Sequence, residues 1–383
     1  MKMILPSDLH QLLGGMSPEV FLKKYWQQKP LLIRRAVPDA RPPITRAELF
    51  ELAGRDEVES RVVARQGTKW SMESGPFARR DLRRPADTAW TLLVQGVNLY
   101  APDADALMRR FNFVPQARLD DLMISWATDG GGVGPHFDSY DVFLLQVAGK
   151  RRWRISTQRD LTLKAGLPLK VLKNFKAEEE YVLEAGDMLY LPPSVAHDGV
   201  ALGDECMTCS IGFRAPSAAE LTRGFLEYLA ERVERPGLYA DPGLRPAHDS
   251  ALIDDAFVRR AERLARPPKP TRAAFADFLG VYLTEPKAHV FFDAPEAPQA
   301  LAAFAREAAR AGLKLDLQTQ MLHRGKNIYA NGEAYALPAG KAGAQLRALA
   351  AARGLAPVGL APPAAKMLHA WYEYGWLHLG GTP

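Results

Sequence analysis

The sequence predicts a mixed β and α protein, in which a β-barrel or β-sandwich is followed by helices and a small second domain. Three observations lead to this prediction. Short β-rich runs separated by glycine and proline occupy residues 117–213, and helical patterns rich in alanine and leucine follow residue 216. A proline-rich break at 266–270 then precedes a region of mixed helical and strand patterns. Many short strands with turns between them are typical of barrels and sandwiches.

Composition and charge limit the class of protein. The chain has 383 residues, of which 47% are hydrophobic and 24% charged, which is typical of a folded globular protein of roughly two or three domains. The apolar run near the N-terminus is too short for a signal peptide, and no uninterrupted apolar stretch could span a bilayer. We therefore expect a cytoplasmic protein without membrane contact. The net charge of +5 permits an anionic partner such as RNA but is equally typical of ordinary solubility.

Short helical patterns and polar loops occupy the first ~90 residues. Ser17 is placed as the N-cap of a helix over 18–26 that begins with a proline. Residues 30–35 are typical of a short strand. A second helix is predicted over 44–53, with Gly54 as its C-cap.

Six runs of strand length and composition follow. Each is rich in apolar, β-branched or aromatic residues and is bounded by turn-forming residues. They lie at 122–127, 142–147, 151–155, 181–183, 187–191 and 207–213. Their density favours a barrel or sandwich over a βαβ array, in which helices would separate the strands.

Helical patterns replace the strands after residue 216. They cover 218–235 and 250–265 and carry alanine, leucine and paired charges, which favour helices. The prolines at 266–270 end this pattern, because proline interrupts helices, and we place a domain boundary there.

The C-terminal region is interpreted as helix, strand, helix, hairpin, two helices and a final strand. The hairpin turn is predicted at Asn331-Gly332, a dipeptide typical of two-residue turns. This order resembles a small winged-helix domain. From Thr271 onward, eleven Lys and Arg oppose eight Asp and Glu, so its net charge is only +3.

One glycine-rich stretch carries the residues expected to do chemistry. Residues 130–134 lead into His136 and Asp138, and because side chains two apart in a strand point to the same face, both can approach one metal ion. A second histidine, His197, follows a predicted strand and a proline turn at 186–193. Two histidines and one carboxylate leave coordination positions open, as non-haem Fe(II) oxygenases require.

These motifs resemble those of a known family. The stretches 130–143 and 186–197 are similar to the metal-binding segments of the JmjC oxygenases, whose core is a double-stranded β-helix, a jelly roll of the cupin type. The whole chain is similar to the bacterial ribosomal oxygenases, which hydroxylate an arginine of a large-subunit ribosomal protein. The resemblance implies Fe(II) held by His136, Asp138 and His197, with 2-oxoglutarate and O₂ as co-substrates.

The resemblance also implies a domain organisation and partners. It divides the chain into a JmjC-type oxygenase domain with an N-terminal helical elaboration at 1–215, a helical dimerisation segment at 216–268 and a winged-helix-like domain at 269–383. The implied partners are a ribosomal protein with an arginine-containing loop and a second copy of this chain in a homodimer, and direct DNA binding is not expected. Eukaryotic relatives act on histidine instead, and no residue of this sequence distinguishes the two side chains.

The distal carboxylate of 2-oxoglutarate is expected to pair with Arg151. In the run 149–154 the family's basic residue lies two before Trp153, and strand alternation puts both on one face. Lysine is more usual at that point in JmjC proteins, whereas arginine can hold a carboxylate through two hydrogen bonds. A hydroxyl from the closing strand usually assists in this family, and Ser210, or failing that Thr208, fits by position.

Two other functions stay open at this point. A cupin ligand sensor fused to a winged-helix DNA-binding domain would fit the C-terminal region, although the net charge of this region is small for a domain that binds duplex DNA. Salt-dependent binding to duplex DNA would support that function. A metal-dependent cupin acting on a small molecule would not need Arg151, and activity without 2-oxoglutarate would support it.

Overall fold

The computed structural model describes residues 6–67, 69–83, 88–265 and 268–380. Arg266 and Pro267, which the sequence predicts as part of a chain break, lie outside these ranges. No helix within the described ranges is both long enough and apolar enough to cross a bilayer.

Helices and strands alternate in blocks along the chain. The helices are α1 (Pro6–Leu12), α2 (Pro18–Lys24), α3 (Arg46–Leu52), α4 (Pro102–Arg109), α5 (Ala218–Ala230), α6 (Asp255–Ala265), α7 (Arg272–Thr284), α8 (Leu301–Ala311), α9 (Gly340–Ala352) and α10 (Pro362–Glu373). The strands are β1 (Leu31–Ile33), β2 (Ser60–Gln66), β3 (Lys69–Ser74), β4 (Ala89–Val94), β5 (Leu119–Ala127), β6 (Val142–Ser156), β7 (Glu179–Leu183), β8 (Met188–Leu191), β9 (Ala196–Phe213), β10 (Leu313–Leu315), β11 (Met321–Arg324), β12 (Asn327–Ala330), β13 (Glu333–Ala336), β14 (Gly354–Leu355) and β15 (Leu377–Leu379).

Nine strands form one large sheet in the first half of the chain. Its order is β1-β8-β6-β9-β5-β4-β2-β3, with β7 paired to β6. Side chains from β2, β3, β4, β5, β6 and β9 line the same cavity, so the sheet curves around it. This arrangement confirms the predicted double-stranded β-helix.

Helix α2 packs its aromatic residues against this sheet. The Ser17 hydroxyl caps the helix by accepting a hydrogen bond from the backbone N–H of Val20 at 3.4 Å, as predicted. Phe21 is fully buried, with its ring centroid 5.0 Å from that of Tyr190 and 5.5 Å from that of Phe143. Such aromatic contacts contribute beyond the buried area alone and fix the N-terminal elaboration onto β6 and β8.

Strand β6 joins two strands that the sequence predicts as separate, 142–147 and 151–155. Its pairing with β9 is irregular between Gln146 and Lys150, so the strand bends without ending. Gly149 lies in this bend with φ +63°, and a Cβ there would come within 3.0 Å of the Cα of Cys206. Glycine is required at this position, because other residues rarely adopt such a φ and have no space here.

Three strands in the first part of the chain contradict the prediction of helices and polar loops. Strands β2 and β4 carry mostly buried residues and do not alternate, so they lack the period-two signal of a half-exposed strand. Strand β3 lies at the sheet edge and is mostly exposed, with the sequence of a polar loop. The expected glycine cap at Gly54 is also wrong, because α3 ends at Leu52 with Ala53 as its C-cap, and Gly54 does not adopt the left-handed conformation that such a cap requires. Gly54 instead allows close approach of the Phe77 carbonyl, which would lie 3.0 Å from an added Cβ.

The helical segment after the sheet is shorter than predicted at two points. Helix α5 ends at Ala230 rather than residue 235, and Pro236 disfavours helical geometry in the residue before it. Helix α6 begins at Asp255 rather than residue 250 because the Asp254 side chain caps it, accepting a hydrogen bond from the backbone N–H of Phe257 at 2.7 Å.

The C-terminal domain combines two three-stranded sheets with α8, α9 and α10. The predicted hairpin is confirmed, because Asn331 and Gly332 connect β12 to β13 with φ values of 48° and 85°. Both values are positive, as a type I′ turn requires. The strand expected between the first two helices is not found in residues 285–300, all of which are described.

A buried cluster of charges joins the C-terminal domain to the oxygenase domain. Asp105 of α4 lies 2.9 Å from the Arg109 guanidinium and 3.6 Å from that of Arg353, and all three residues are buried. Gln116 also donates a hydrogen bond to the carbonyl of Ala351 at 3.1 Å. Burial, followed by the charge of Arg109, lowers the pKa of Arg353 to about 10. These contacts fix the two domains against each other.

Candidate active site

A cavity of about 400 Å³ opens inside the curved sheet. Apolar side chains such as Val63, Leu93 and Leu144 form much of its wall. The three predicted metal ligands, Arg151, and both hydroxyl candidates of β9 line the same cavity. The structure therefore brings every site residue predicted from the sequence into one space.

The two histidines are joined through their backbones. The N–H of His136 donates to the carbonyl of His197 at 2.9 Å, and the N–H of His197 donates back to His136 at 2.7 Å. The expectation that His136 and Asp138 lie in a strand is wrong, because His136 forms only an isolated bridge to His197 of β9 and Asp138 lies in a loop. The bridge still places the rings together, with centroids 4.2 Å apart.

Each histidine ring presents the same nitrogen to the cavity. The Nδ1 atom of His136 lies 2.9 Å from the carbonyl oxygen of Gly134, and Nδ1 of His197 lies 2.9 Å from that of Val195. Because a carbonyl oxygen can only accept, each Nδ1 carries the proton and each Nε2 keeps a free lone pair. Burial, followed by the neighbouring His136, lowers the pKa of His197 to about 4. A neutral imidazole is the form that binds a metal ion.

Asp138 completes the group of potential ligands. One ligand atom from each of Asp138, His136 and His197 lies within 4.8 Å of the others, and Oδ2 of Asp138 is 3.6 Å from Nε2 of His197. The backbone carbonyl of Asp138 accepts a hydrogen bond from the N–H of Ser194 at 2.8 Å, which holds the loop in place. Two neutral imidazoles and one carboxylate are the donor set of a non-haem iron site, so these residues fit Fe(II).

Arg151 provides a buried positive charge in the same cavity. It is 3% exposed, its Nε donates to the Thr208 hydroxyl at 3.0 Å, and its Nη1 donates to the carbonyl of Gly199 at 3.4 Å. Its Nη2 atom is buried and has no hydrogen-bond partner within the described residues. An unpaired buried donor is costly, so this atom fits a site for a carboxylate.

The neighbouring basic residues lie outside the cavity. Lys150 is exposed and forms an ion pair with Glu184 at 2.5 Å, and Arg154 pairs with Asp198 at 2.5 Å. None of Lys150, Arg152 and Arg154 lines the cavity. Strand alternation therefore separates Arg151 from the basic residues on either side.

The two hydroxyl candidates have different surroundings. Thr208 accepts a hydrogen bond from Arg151 and donates one to Oε1 of Gln146 at 2.7 Å. Ser210 also lines the cavity, and its hydroxyl makes no hydrogen bond recorded among the described residues. Thr208 therefore contacts the arginine, whereas the hydroxyl of Ser210 is available to a ligand.

Several cavity residues were not predicted from the sequence. Arg61, Met72 and Thr91 come from β2, β3 and β4, the strands that the sequence analysis missed. Tyr140 lies within the quoted metal motif and was given no role, although it lines the cavity and is 38% exposed. The sequence signal for Tyr140 is its position two residues after Asp138, the same spacing that links Asp138 to His136. Gln146 lies outside this lining, behind Thr208, and nothing in the sequence distinguishes it from the other residues of the predicted strand 142–147.

Comparisons with known proteins agree with this arrangement. Two family models match the chain, a JmjC domain over residues 106–221 and a ROXA-like winged helix over residues 260–378. The chain is 36% identical to the ribosomal protein uL16 3-hydroxylase of Escherichia coli K12 over 319 residues, which cover 82% of this chain and 84% of that protein. An X-ray structure of E. coli YcfD matches with a TM-score of 0.81 at 33% identity, over 95% of this chain and 98% of that one. A structure of YcfD, described as a ribosomal oxygenase, in complex with cobalt and 2-oxoglutarate matches with a TM-score of 0.78 at 33% identity, over the same shares of the two chains.

Proposed function

Because this chain belongs to the bacterial JmjC ribosomal oxygenases, we propose that it hydroxylates an arginine side chain of the large-subunit ribosomal protein uL16. Fe(II) is its metal and 2-oxoglutarate its co-substrate. The observation that carries this proposal is the convergence of His136, Asp138 and His197 in one cavity with the buried Arg151. The name of the E. coli relative, uL16 3-hydroxylase, supports uL16 as the substrate.

The chain's own residues supply binding and orientation for this reaction. His136, Asp138 and His197 hold the metal, and the Nδ1 hydrogen bonds of the two histidines keep both rings in the required tautomer. When bound, Fe(II) with 2-oxoglutarate and O₂ supplies the oxidising power that inserts one oxygen atom into a C–H bond, with succinate and CO₂ as co-products. Arg151 pairs with the distal carboxylate of 2-oxoglutarate, and the Ser210 hydroxyl assists it.

The apolar wall of the cavity limits the access of water. Val63, Leu93, Met123 and Leu144 contribute side chains from four different strands. Removal of water strengthens the pairing between Arg151 and a carboxylate, because charges interact more strongly where the dielectric constant is low. It also limits oxidation of anything other than the positioned target.

The choice of arginine over histidine as the target side chain rests on the resemblance to the bacterial ribosomal oxygenases. The charges of the cavity wall do not add to it, because Arg61, Lys170 and Arg151 line the cavity together with one carboxylate, Asp138.

Mass spectrometry of uL16 tests the proposal directly. The full-length protein with Fe(II), 2-oxoglutarate and O₂ is expected to add one oxygen atom to an arginine of uL16, as located by fragmentation. His136→Ala and Asp138→Ala should abolish the product because each removes a metal ligand. His323→Ala, at an exposed histidine outside the cavity, is the matched control and should keep activity. Oxygen added to a histidine would refute the arginine assignment, and full turnover by Asp138→Ala would refute the ligand assignment.

We also propose that the protein is a cytoplasmic homodimer that acts on ribosomal proteins without binding DNA. Exposed apolar side chains on and beside α6 support a second copy as the partner, including Leu252 at 67% and Ile253 at 71% exposure, with Phe257 and Leu264 beside them. Such patches are typical of protein interfaces. Light scattering of the purified chain should give twice its mass of 42.3 kDa. Leu252→Asp combined with Ile253→Asp should shift the mass towards the monomer, and an unchanged mass would contradict this interface.

A further inference from the structure

The fully buried Gln146 lies behind the carboxylate-binding arginine and has no role in the function proposed above. It is 0% exposed, and Thr208, to which it is bonded, is 1% exposed. Gln146 reaches Arg151 only through Thr208, since Thr208 donates to Oε1 of Gln146 and accepts from Nε of Arg151. The three side chains therefore form one chain of hydrogen bonds that ends in the cavity.

The proton positions in this series of hydrogen bonds are fixed by Gln146, the member farthest from the cavity. The side-chain Nε2 of Gln146 lies 2.6 Å from the backbone carbonyl of Ala148, which can only accept. The amide nitrogen must therefore face Ala148, and the amide oxygen must face Thr208. A second contact of Nε2, with Sγ of Cys206 at 3.3 Å, favours the same orientation.

This orientation decides what Thr208 can offer to Arg151. Because the Thr208 hydroxyl proton is directed to Gln146, its lone pairs remain for the N–H of Arg151. The Nε and Nη1 atoms of Arg151 then have protein partners, and Nη2 is left without one within the described residues. A rotated Gln146 amide would turn a donor toward Thr208 and remove the acceptor for the hydroxyl proton.

The bend in β6 is what allows this contact. Gln146 and Arg151 are five positions apart and would face opposite sides of a regular strand. The irregular pairing between Gln146 and Lys150 breaks the alternation, so both residues reach Thr208 on β9. The same irregularity places the Ala148 carbonyl within reach of the Gln146 side chain.

We propose that Gln146 is a positioning residue for the co-substrate, because it sets the hydrogen-bond direction of Thr208 and thereby holds Arg151 toward the distal carboxylate. This inference rests on the proposed use of 2-oxoglutarate. It predicts that replacement of Gln146 changes the affinity only for ligands that carry the distal carboxylate. A 2-oxo acid that lacks the distal carboxylate, such as 2-oxobutanoate, should therefore bind independently of Gln146.

The test is an anaerobic titration of the Fe(II)-loaded full-length protein, followed by visible absorption. Gln146→Leu and Thr208→Val should each raise the Kd for 2-oxoglutarate about tenfold, because Thr208→Val removes a buried hydrogen bond to Arg151 and Gln146→Leu removes the acceptor that orients the Thr208 hydroxyl for that bond. Neither should change the Kd for 2-oxobutanoate more than about twofold. Thr208→Ser keeps the hydroxyl and should restore wild-type affinity, and the double variant should be no weaker than either single one, because both act through one chain of bonds.

Cys209→Ala is the matched control, since Cys209 is buried next to Thr208 in β9 and its thiol makes no hydrogen bond to any described residue. Its Kd for both acids should be unchanged. Equal weakening of both acids by Gln146→Leu and Thr208→Val would show a structural role and overturn the inference, as would an unchanged Kd for 2-oxoglutarate in both. If Gln146→Leu does not fold, Gln146→Met, an unbranched side chain of similar length without the amide, takes its place and carries the same expectation. If wild-type protein shows no 2-oxoglutarate-dependent band, the proposed function itself fails and the inference with it.

Discussion

Replacement of Arg151 by leucine should weaken 2-oxoglutarate binding selectively. Among the cations that line the cavity, which include Arg61 and Lys170, Arg151 alone is buried, with 3% exposure. Its Nη2 is available to a ligand. Removal of one partner from a buried charge pair costs about 2–5 kcal/mol, and a value of about 3 kcal/mol corresponds to a Kd roughly a hundredfold higher. The leucine itself is tolerated, because Thr208 keeps its hydrogen bond to Gln146.

The assay compares the Kd for Fe(II), the Kd for 2-oxoglutarate and the KM for 2-oxoglutarate in wild type, Arg151→Leu and Arg151→Lys. Lysine keeps the positive charge but lacks the planar guanidinium that can hold a carboxylate through two hydrogen bonds. We therefore expect an intermediate Kd for 2-oxoglutarate, about tenfold above wild type. The affinity for Fe(II) should be unchanged in both variants, since Arg151 is not one of the clustered potential ligands. A Kd for 2-oxoglutarate within about threefold of wild type in Arg151→Leu would refute the assignment of Arg151 to the distal carboxylate.

Three further predictions concern stability. Asp105→Ala removes the carboxylate that pairs with the buried Arg109 and Arg353 and should destabilise the domain junction by about 3–5 kcal/mol in urea unfolding. A loss below about 1 kcal/mol would contradict this. Burial alone would raise the pKa of Asp187, but hydrogen bonds from Arg35, Arg34 and Glu184 lower it overall. The ionised Asp187 therefore stabilises the fold at neutral pH, and this stabilisation is lost as the pH falls below 3.8 and passes through the lowered pKa of the folded state. The difference in unfolding free energy between wild type and Asp187→Asn should therefore disappear in acid, and a pH-independent difference would argue against it. Gly199→Ala would place a Cβ 2.5 Å from the Trp153 ring and should lower the unfolding free energy by about 1–3 kcal/mol; an unchanged melting temperature would show that the ring can move.

The chemistry of the site was predictable because it depends on short stretches of sequence. His136 and Asp138 are two residues apart, and His197 follows a strand and a turn whose signals are local. This short spacing keeps His136 and Asp138 close together although neither lies in a strand, and the bridge between His136 and His197 brings in the second histidine. Arg151 was predictable for a related reason, since a family resemblance and strand alternation point to the same residue.

The wall of the cavity was not predictable in the same way. Arg61, Met72 and Thr91 lie in strands β2, β3 and β4, which were interpreted as helices or loops. Buried strands lack alternation, and an exposed edge strand lacks an apolar pattern, so neither gives a period-two signal. Their assignment depends on which strands become neighbours, which is a property of the closed sheet.

The sequence by itself predicted a barrel or sandwich, and its resemblance to a known family implied the double-stranded β-helix, the candidate ligands of an iron site and Arg151 as a cation in the same cavity. Only the tertiary structure decided that His136, which lies outside the strands, pairs with His197 of β9, and that Gln146 reaches Arg151 through Thr208. Thr208 lies 62 positions from Gln146 and 57 from Arg151. The physical reason is the bend in β6. Local periodicity assigns each residue to a face of the sheet, but an irregularity in strand pairing reverses that assignment. The position of the irregularity depends on β9, a strand distant in sequence.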